Sequence, residues 1–449
     1  MSDLLSIGAS GVKAYQIALN TVSENIANAG NEGYSRRTTN ISEVVAVPRA
    51  GAQNQVNGQG SVVTGISRAA DAYRSAEVRT TGADLAKTET SVTWLQRVED
   101  TLSASQIGTS LASFFNAATQ LAADPTSGAA RSTMLETAQT VANAFTSTGA
   151  SLDQIASDIG DAADSAATSL TTVAAALAKV NAGLGRAQPG LSGTAALLDQ
   201  RDQLLEQMSA LVDVSVSFDA QGRATVRGGG ANGPVLVDGP DSASISYSAN
   251  ASGAVQYTVL NGINQQVLSP NGGAMAGFAD AAQRIADART QLGAVASGFV
   301  NDVNAVQAQG RDLNGQPGAP IFAMAAGGGT AAMTRVLDDP QGIAAAAVGG
   351  GTRDNSNLAE LAKARTTGGY ENAVVDLTAG NAATLAQRKA VASAQDTIHS
   401  NAVAARDGAS GVNLDNEAVD LMRFQQAYSA SGRVIQVARD VIQTILDIH

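Results

Sequence analysis

The sequence predicts a mainly α chain with a β insertion: discontinuous, coiled-coil-like terminal helices, an elongated helical-bundle trunk and a small antiparallel β domain. Three observations carry this prediction. Both ends of the 449-residue chain read as amphipathic helices whose apolar seam repeats every seven residues. Such a repeat keeps one stripe facing a partner helix. Between the ends lie long stretches of helical apolar spacing, broken where Pro and Gly cluster. At Val212 the period changes from helical to two, the mark of half-buried strands.

The first seam comprises Leu5, Gly8, Val12, Tyr15, Leu19, Val22, Ile26 and Ala29. It predicts a helix over 2–29, stopped by Asn28, Gly30, Asn31 and Gly33, residues that tolerate left-handed backbone. Residues 36–68 read as extended, with β-branched runs at 41–47 and 62–66. From 69 to 210 the spacing is helical. One helix holds Val78, Leu85, Val92, Leu95, Val98 and Leu102, in a run that ends at Asp124-Pro125. A second passes from Met134 through Val141, Phe145 and Leu152 toward Leu184, and Gln188-Pro189-Gly190 ends it. A shorter helix occupies 194–211.

Val212, Val214, Val216 and Phe218 then alternate with polar residues, and further short strands follow between Gly-rich turns, with Asn261-Gly262 as a hairpin signal. Residues 212–270 are therefore expected to form an inserted β domain, removable with modest loss of trunk stability. Helix returns over 275–309, an irregular Gly/Pro-rich stretch covers 310–354, and helices are expected at 355–366 and 371–406. In the last helix Asp415 is the expected cap, Glu417 suits the dipole of the first turn, and Leu414 is placed to staple onto Val419. Its seam reads Leu421, Phe424, Tyr428, Ser431, Ile435, Ala438, Ile442 and Ile445. The domain division that follows is an axial core of 1–35 with 412–449, a trunk of 36–211 with 271–411, and the insertion 212–270. Terminal segments fray unless something holds them. Two seamed ends therefore imply pairing with each other, with other copies, or both.

Composition excludes several function classes. Charged residues are 15%, against about a quarter in ordinary domains, so much of the surface is small and uncharged, as suits faces covered by neighbours. A net charge of −12 argues against nucleic acid as a partner. With no cysteine, thiol catalysis, disulfides and Cys-based zinc sites are excluded. No run of about 18 apolar residues occurs, so no membrane insertion by a helix is expected. A cleavable signal peptide is not expected either: Asp3 stands where its basic region belongs, and Lys13, Asn20 and Glu24 interrupt the apolar positions.

Chemical motifs are weak. His399 and His449 lack a ligand or nucleophile partner at useful spacing, so no catalytic or metal site is expected, nor any cofactor. Ser10-Gly11-Val12-Lys13 matches S-x-x-K without its companion elements. The glycine clusters 228–230, 327–329 and 349–351 lack a following Lys-Ser/Thr and read as loops. Asp312, Asn314 and Gly315 lack the bidentate Glu of a calcium loop and read as a turn. Asp199-Gln200-Arg201-Asp202 reads as a charge cluster on a solvated or intersubunit face.

The segment Ala27-Asn28-Ala29-Gly30-Asn31-Glu32-Gly33-Tyr34-Ser35-Arg36 resembles the A-N-x-x-T-P-G-Y-S-R signature of the flagellar hook-associated protein 1 family, with Asn31-Glu32 in place of Thr-Pro. The stretch Asn413-Leu414-Asp415-Asn416-Glu417-Ala418, followed by Phe424-Gln425-Gln426-Ala427-Tyr428, is similar to the family's C-terminal motif. Blocks at 197–204, 304–310 and 354–357 match in the same order. The resemblance implies an axial protein with paired terminal helices innermost, a helical domain around them and β structure outermost. It implies export without a cleavable signal peptide to an extracellular site, the hook–filament junction. The implied partners are other copies of the chain, the flagellar hook protein, the next hook-associated junction protein, and an export chaperone at the C-terminal helix.

With that resemblance, the seams are expected to serve assembly between subunits. The function expected is a non-enzymatic, structural axial protein joining hook to filament. The alternatives are another axial subunit, such as a hook or rod protein, or a flagellum-associated enzyme such as a cell-wall hydrolase, which would need a polar catalytic cluster.

Overall fold

The computed structural model describes residues 2–31, 33–44, 60–250 and 254–447. Helix α1 (Ser2–Ala27) leads through a turn into an antiparallel hairpin of β1 (Arg37–Glu43) and β2 (Ser61–Arg68). The strand signal at 45–47 lies outside the described residues. Helix α2 (Ala72–Ser103) starts where the Asp71 side chain accepts hydrogen bonds from the Tyr73 and Arg74 amides, satisfying two donors of its first turn. It ends at Ser103, and Gln106, with a φ of 40°, turns the chain into α3 (Ile107–Ala123). No Gly or Pro marks this break, which is why the apolar spacing predicts one continuous run there.

The 57-residue helix α4 (Gly128–Leu184) is capped by Ser127, and α5 (Ser192–Leu211) returns beside it. Helix α6 (Gly273–Gln309), α7 (Ser356–Gly368), α8 (Tyr370–Ser410) and α9 (Leu414–Asp447) complete the helical set. Gly369, at φ +56°, supplies the left-handed residue between α7 and α8.

The trunk closes around aromatic rings. Phe299 on α6 is fully buried, with its ring centroid 5.1–6.4 Å from those of Phe114, Phe115, Phe145, Phe322 and Tyr370. Mostly tilted and edge-on pairs at this spacing add to the area they bury. The irregular stretch after α6, with its short strands β10 (Phe322–Met324) and β11 (Met333–Arg335), is latched by buried polar groups. Asn304 Nδ2 donates to Phe322 O, and its Oδ1 accepts from the Ile321 and Phe322 amides. Arg131 is 1% exposed and donates to the carbonyls of Pro125, Pro340 and Ile343. Asn357 donates to Val306 O and Ala344 O.

Seven strands follow α5: β3 (Val214–Phe218), β4 (Ala224–Gly228), β5 (Val235–Asp238), β6 (Asp241–Ser242), β7 (Ser244–Ala249), β8 (Val255–Asn261) and β9 (Asn264–Leu268). They form a four-stranded sheet ordered β3-β4-β5-β6 and a three-stranded sheet ordered β7-β8-β9. Asn261 pairs with Asn264, so the last hairpin turns on Gly262 and Ile263 rather than on Asn261-Gly262, with Gly262 at φ +62°.

These sheets do not close a core of their own. Val226, Leu236, Val237, Tyr257, Val259 and Leu268 share one buried cluster with Ala163, Leu170 and Leu177 of α4, Leu205 and Met208 of α5, and Met275 of α6. Asn181 of α4 is fully buried and reaches across, donating to Ala224 O and Gly239 O and accepting from the Ala224 amide. The expectation that 212–270 is removable with modest loss is therefore corrected. Burying one Leu contributes about 1.5–3 kcal/mol, and excision uncovers at least Leu170, Leu177, Leu205 and Met208. Replacing 214–268 by a Gly/Ser linker is expected to lower the melting temperature of the helices sharply, followed by far-ultraviolet circular dichroism. An unchanged melting curve would count against the shared core.

Candidate assembly interface

Helices α1 and α9 pack antiparallel, and small residues let them come close. A Cβ on Gly8 would stand 2.7 Å from Ile435 Cγ1, and one on Gly11 would stand 2.6 Å from Ser431 Oγ. Further along, the Tyr15 and Phe424 rings lie 6.3 Å apart. Another side of α1 rests on the hairpin, where the Ser61 amide donates to Ser10 Oγ and Thr39 Oγ1 donates to Thr21 Oγ1. The serine of the S-x-x-K match is thus a strut, and Lys13 is exposed.

The residues of the expected seams divide between covered and open positions. On α1, Val22 is buried, Leu5, Val12, Tyr15 and Leu19 are half-buried, and Ile26 is exposed. The other buried positions of α1 are Gly8, Gly11, Ala14, Ala18, Thr21 and Asn25. On α9, Ala438 is buried, Leu421, Phe424, Ser431, Ile435 and Ile442 are half-buried, and Tyr428 and Ile445 are exposed. Phe424, Ser431 and Ile435 face α1 of the same chain. A second apolar set on α9 is open: Val419, Met422, Val434, Val437, Val441 and Leu446 are all exposed. Val419 is 60% and Leu414 is 54% exposed, so the expected staple between them does not form.

A buried polar tie joins the two helices. Asn25 is fully buried and uses all four of its hydrogen-bonding positions. Its Nδ2 donates to Arg37 O at 2.8 Å and to Glu417 Oε2 at 2.9 Å. Its Oδ1 accepts from Tyr34 OH at 2.9 Å and from the Arg37 amide at 3.0 Å. Glu417, also fully buried, takes a charge-assisted bond from Arg36 Nε at 2.6 Å, and Arg36 extends to Asp420 at 3.2 Å. Burial pushes the Tyr34 hydroxyl up to about 12, with Glu24, Asp199 and Glu417 adding to the shift and Arg37 opposing it.

This tie gives the signature segment a physical reading. Asn28 Nδ2 donates to Glu24 O and closes the end of α1, while Ala27 is exposed. Gly33, at φ +75°, permits the turn against the Gln203 side chain. Tyr34 and Arg36 then reach Asn25 and Glu417, Ser35 is buried between them, and the Arg36 amide donates to Ser410 O. The cap of α9 is Asn413, whose Oδ1 accepts from the Asp415 and Asn416 amides. Asp415 is exposed and does not cap, and Glu417 is drawn inward by Asn25 and Arg36.

Beside the tie lies a second charge cluster, and it corrects the solvated or intersubunit reading of residues 199–202. Asp199 and Arg201 are buried inside the chain. Arg37 reaches Glu24 at 3.1 Å and Asp199 at 3.2 Å, and Arg68 reaches Asp199 at 3.3 Å and pairs with Asp202. Arg201 pairs with Asp202 at 2.6 Å and lies over the Phe218 ring. Burial raises the Asp199 carboxyl above its ordinary value, although Arg68 and Arg37 pull it down. The roles of Asn25, Arg37, Arg68 and Glu417 escaped sequence reasoning. A usable signal existed in the adjacent Arg36-Arg37 of a charge-poor chain.

Other chemical groups have structural partners. His399 Nδ1 lies 3.1 Å from Thr81 Oγ1, against Gly82. Asp312 accepts from the Asn314 and Gln316 amides, an Asx-type turn. Among the described residues no group of three His, Cys, Asp or Glu could hold a metal ion, and no helix is long and apolar enough to cross a membrane. His449 lies outside the described residues.

Comparison with known proteins gives consistent matches. Residues 95–322 match the family model for the flagellar hook-associated protein FlgK helical domain, about half of the chain. Residues 5–34 match the flagella basal body rod protein model, and 408–448 match the C-terminal model of the flagellar basal body rod FlgEFG proteins. Flagellar hook-associated protein 1 of Salmonella typhimurium is 27% identical over 72% of this chain and 60% of that protein. The Bacillus subtilis protein of the same name is 24% identical over 97% of this chain and 96% of its own length. The matched region thus spans about 60% of the Salmonella relatives' length. The structure of the flagellar hook junction protein FlgK from Burkholderia pseudomallei shares the fold, with a TM-score of 0.51 at 24% identity, over 56% of this chain and 47% of that one.

Proposed function

The chain belongs to the FlgK family of flagellar hook-associated proteins, and from that premise we propose that it is a structural axial protein joining hook to filament. The observation that carries this reading is the α1–α9 pair: two helices matched to axial rod-protein models, tied together through buried Asn25 and Glu417, with an open apolar stripe on α9. Exposed apolar side chains such as Val419, Met422 and Val437 are suited to contact with neighbouring subunits. Assembly through them joins copies of the chain, and the seam residues that face α1 hold the pair in shape for that contact. The domain division of axial pair, helical trunk and β insertion belongs to the same proposal. Hook protein on one side and the next junction protein on the other are its neighbours, with an export chaperone covering the α9 stripe before assembly. The role is mechanical rather than catalytic, and the site of action is the extracellular junction.

Antibody labelling is expected to mark a narrow zone at the distal end of the hook. Cells lacking the gene are expected to build hooks, release flagellin into the medium and fail to swim. Labelling along whole filaments would exclude a junction role.

A further inference from the structure

Arg37 and Arg68 stand directly opposite each other on β1 and β2. Like charges in that position repel. The carboxylates that offset them, Asp199 and Asp202, lie one turn apart on α5, so the cluster joins the hairpin, on which α1 rests, to the helices of the trunk. With Arg201, these side chains are at most 15% exposed. Arg37 Nε is buried without a hydrogen bond, and Arg68 Nε faces Asp199 Oδ1 at 3.3 Å as an ion pair that lacks hydrogen-bond geometry. The backbones also touch here: the Ile66 amide donates to Gly190 O at 2.8 Å, and a Cβ on Gly65 would stand 3.2 Å from Gly190 Cα.

Such a cluster is a poor way to gain stability. Desolvating the ions offsets most of their attraction, and well-packed apolar side chains of similar volume hold two elements together as firmly or more so. What charges add is direction. A guanidinium bonds a carboxylate in a narrow set of planar geometries, whereas an apolar contact tolerates sliding. A hairpin seated differently on α5 would leave Arg68 without a carboxylate and Arg37 with Glu24 alone.

We propose that Arg37, Arg68, Asp199 and Asp202 are positioning residues that fix the orientation of the α1–α9 pair relative to the helical trunk. The axial pair is then presented to its neighbours at one angle.

The chain has no cysteine, so spin labels at Gln426→Cys on α9 and Lys179→Cys on α4 report this angle as a distance distribution. In the full chain, Arg37→Met/Arg68→Met/Asp199→Leu/Asp202→Leu is expected to melt at or above the parent temperature yet give a broadened distribution. Asp199→Leu alone is expected to lower the melting temperature, because both arginines lose a partner. Arg68→Lys, which keeps the charge and loses the planar fork, is expected to broaden the distribution with little change in melting. An unchanged, narrow distribution in Arg68→Lys and in the fourfold variant would overturn the proposal. The distance is read on the isolated subunit, so this result is independent of the hook–filament reading.

Discussion

Glu417→Leu is expected to release α9 from α1 while leaving the trunk folded. The substitution strips Asn25 Nδ2 of one acceptor in a fully buried site and removes the charge-assisted bond from Arg36. An orphaned buried donor and a lost ionic hydrogen bond together cost on the order of 3 kcal/mol. The aromatic cluster around Phe299 makes no contact with this tie, so the loss stays local. Amide hydrogen exchange is expected to show α1 and α9 deprotected with α4 and α6 unchanged. Such subunits are expected to stay soluble but fail to assemble. Protection of α9 at the parent level would show that the apolar contacts, and not the tie, hold the pair. Arg439→Ala, on an exposed position of α9, is the control expected to change little.

The opposite behaviour is expected of Phe299→Ala. This side chain touches five other aromatic rings drawn from α3, α4, β10 and α8. Truncating it loses the transfer energy of the ring and leaves a cavity, at a cost of about 3–5 kcal/mol. A domain typically has about 5–15 kcal/mol in all, so the trunk is expected to melt many degrees lower. Calorimetry and denaturant midpoints measure the effect. A loss under about 1 kcal/mol would mean that the neighbouring rings collapse into the space.

Much of this architecture was legible because it rests on periodicity. The helices through Val78–Leu102 and Met134–Leu184, and the switch to strands near Val212, follow from spacing alone. The break at Gln106 was not legible, because it depends on a left-handed non-glycine residue that tertiary packing holds. The cap of α9 was misplaced by two residues, since Asn413 and Asp415 are equally good capping types and the backbone decides between them. At the candidate interface the apolar stripe was visible, but its division into covered and open halves was not. The most closely packed positions of α1 are Gly8, Gly11, Ala14 and Ala18, whose small side chains carry little hydrophobic signal. The polar tie and the Arg–Asp cluster join residues more than a hundred positions apart, a relation that no local window records.

That separation has a kinetic consequence. Asn25 and Glu417 are 392 positions apart, so the contact between them closes a very long loop. Chains are synthesised from the N-terminus at about 5–20 residues per second, so α1 waits roughly 20–80 seconds before its partner exists. Non-local pairings of this kind form late, after the more local parts of the trunk have condensed. A chain cut between Leu377 and Glu417 keeps every member of the cluster around Phe299, yet it never closes the tie. Joining segments so far apart makes the closed pair depend on synthesis reaching Glu417, and a chain that stops short of it keeps Asn25 without this acceptor.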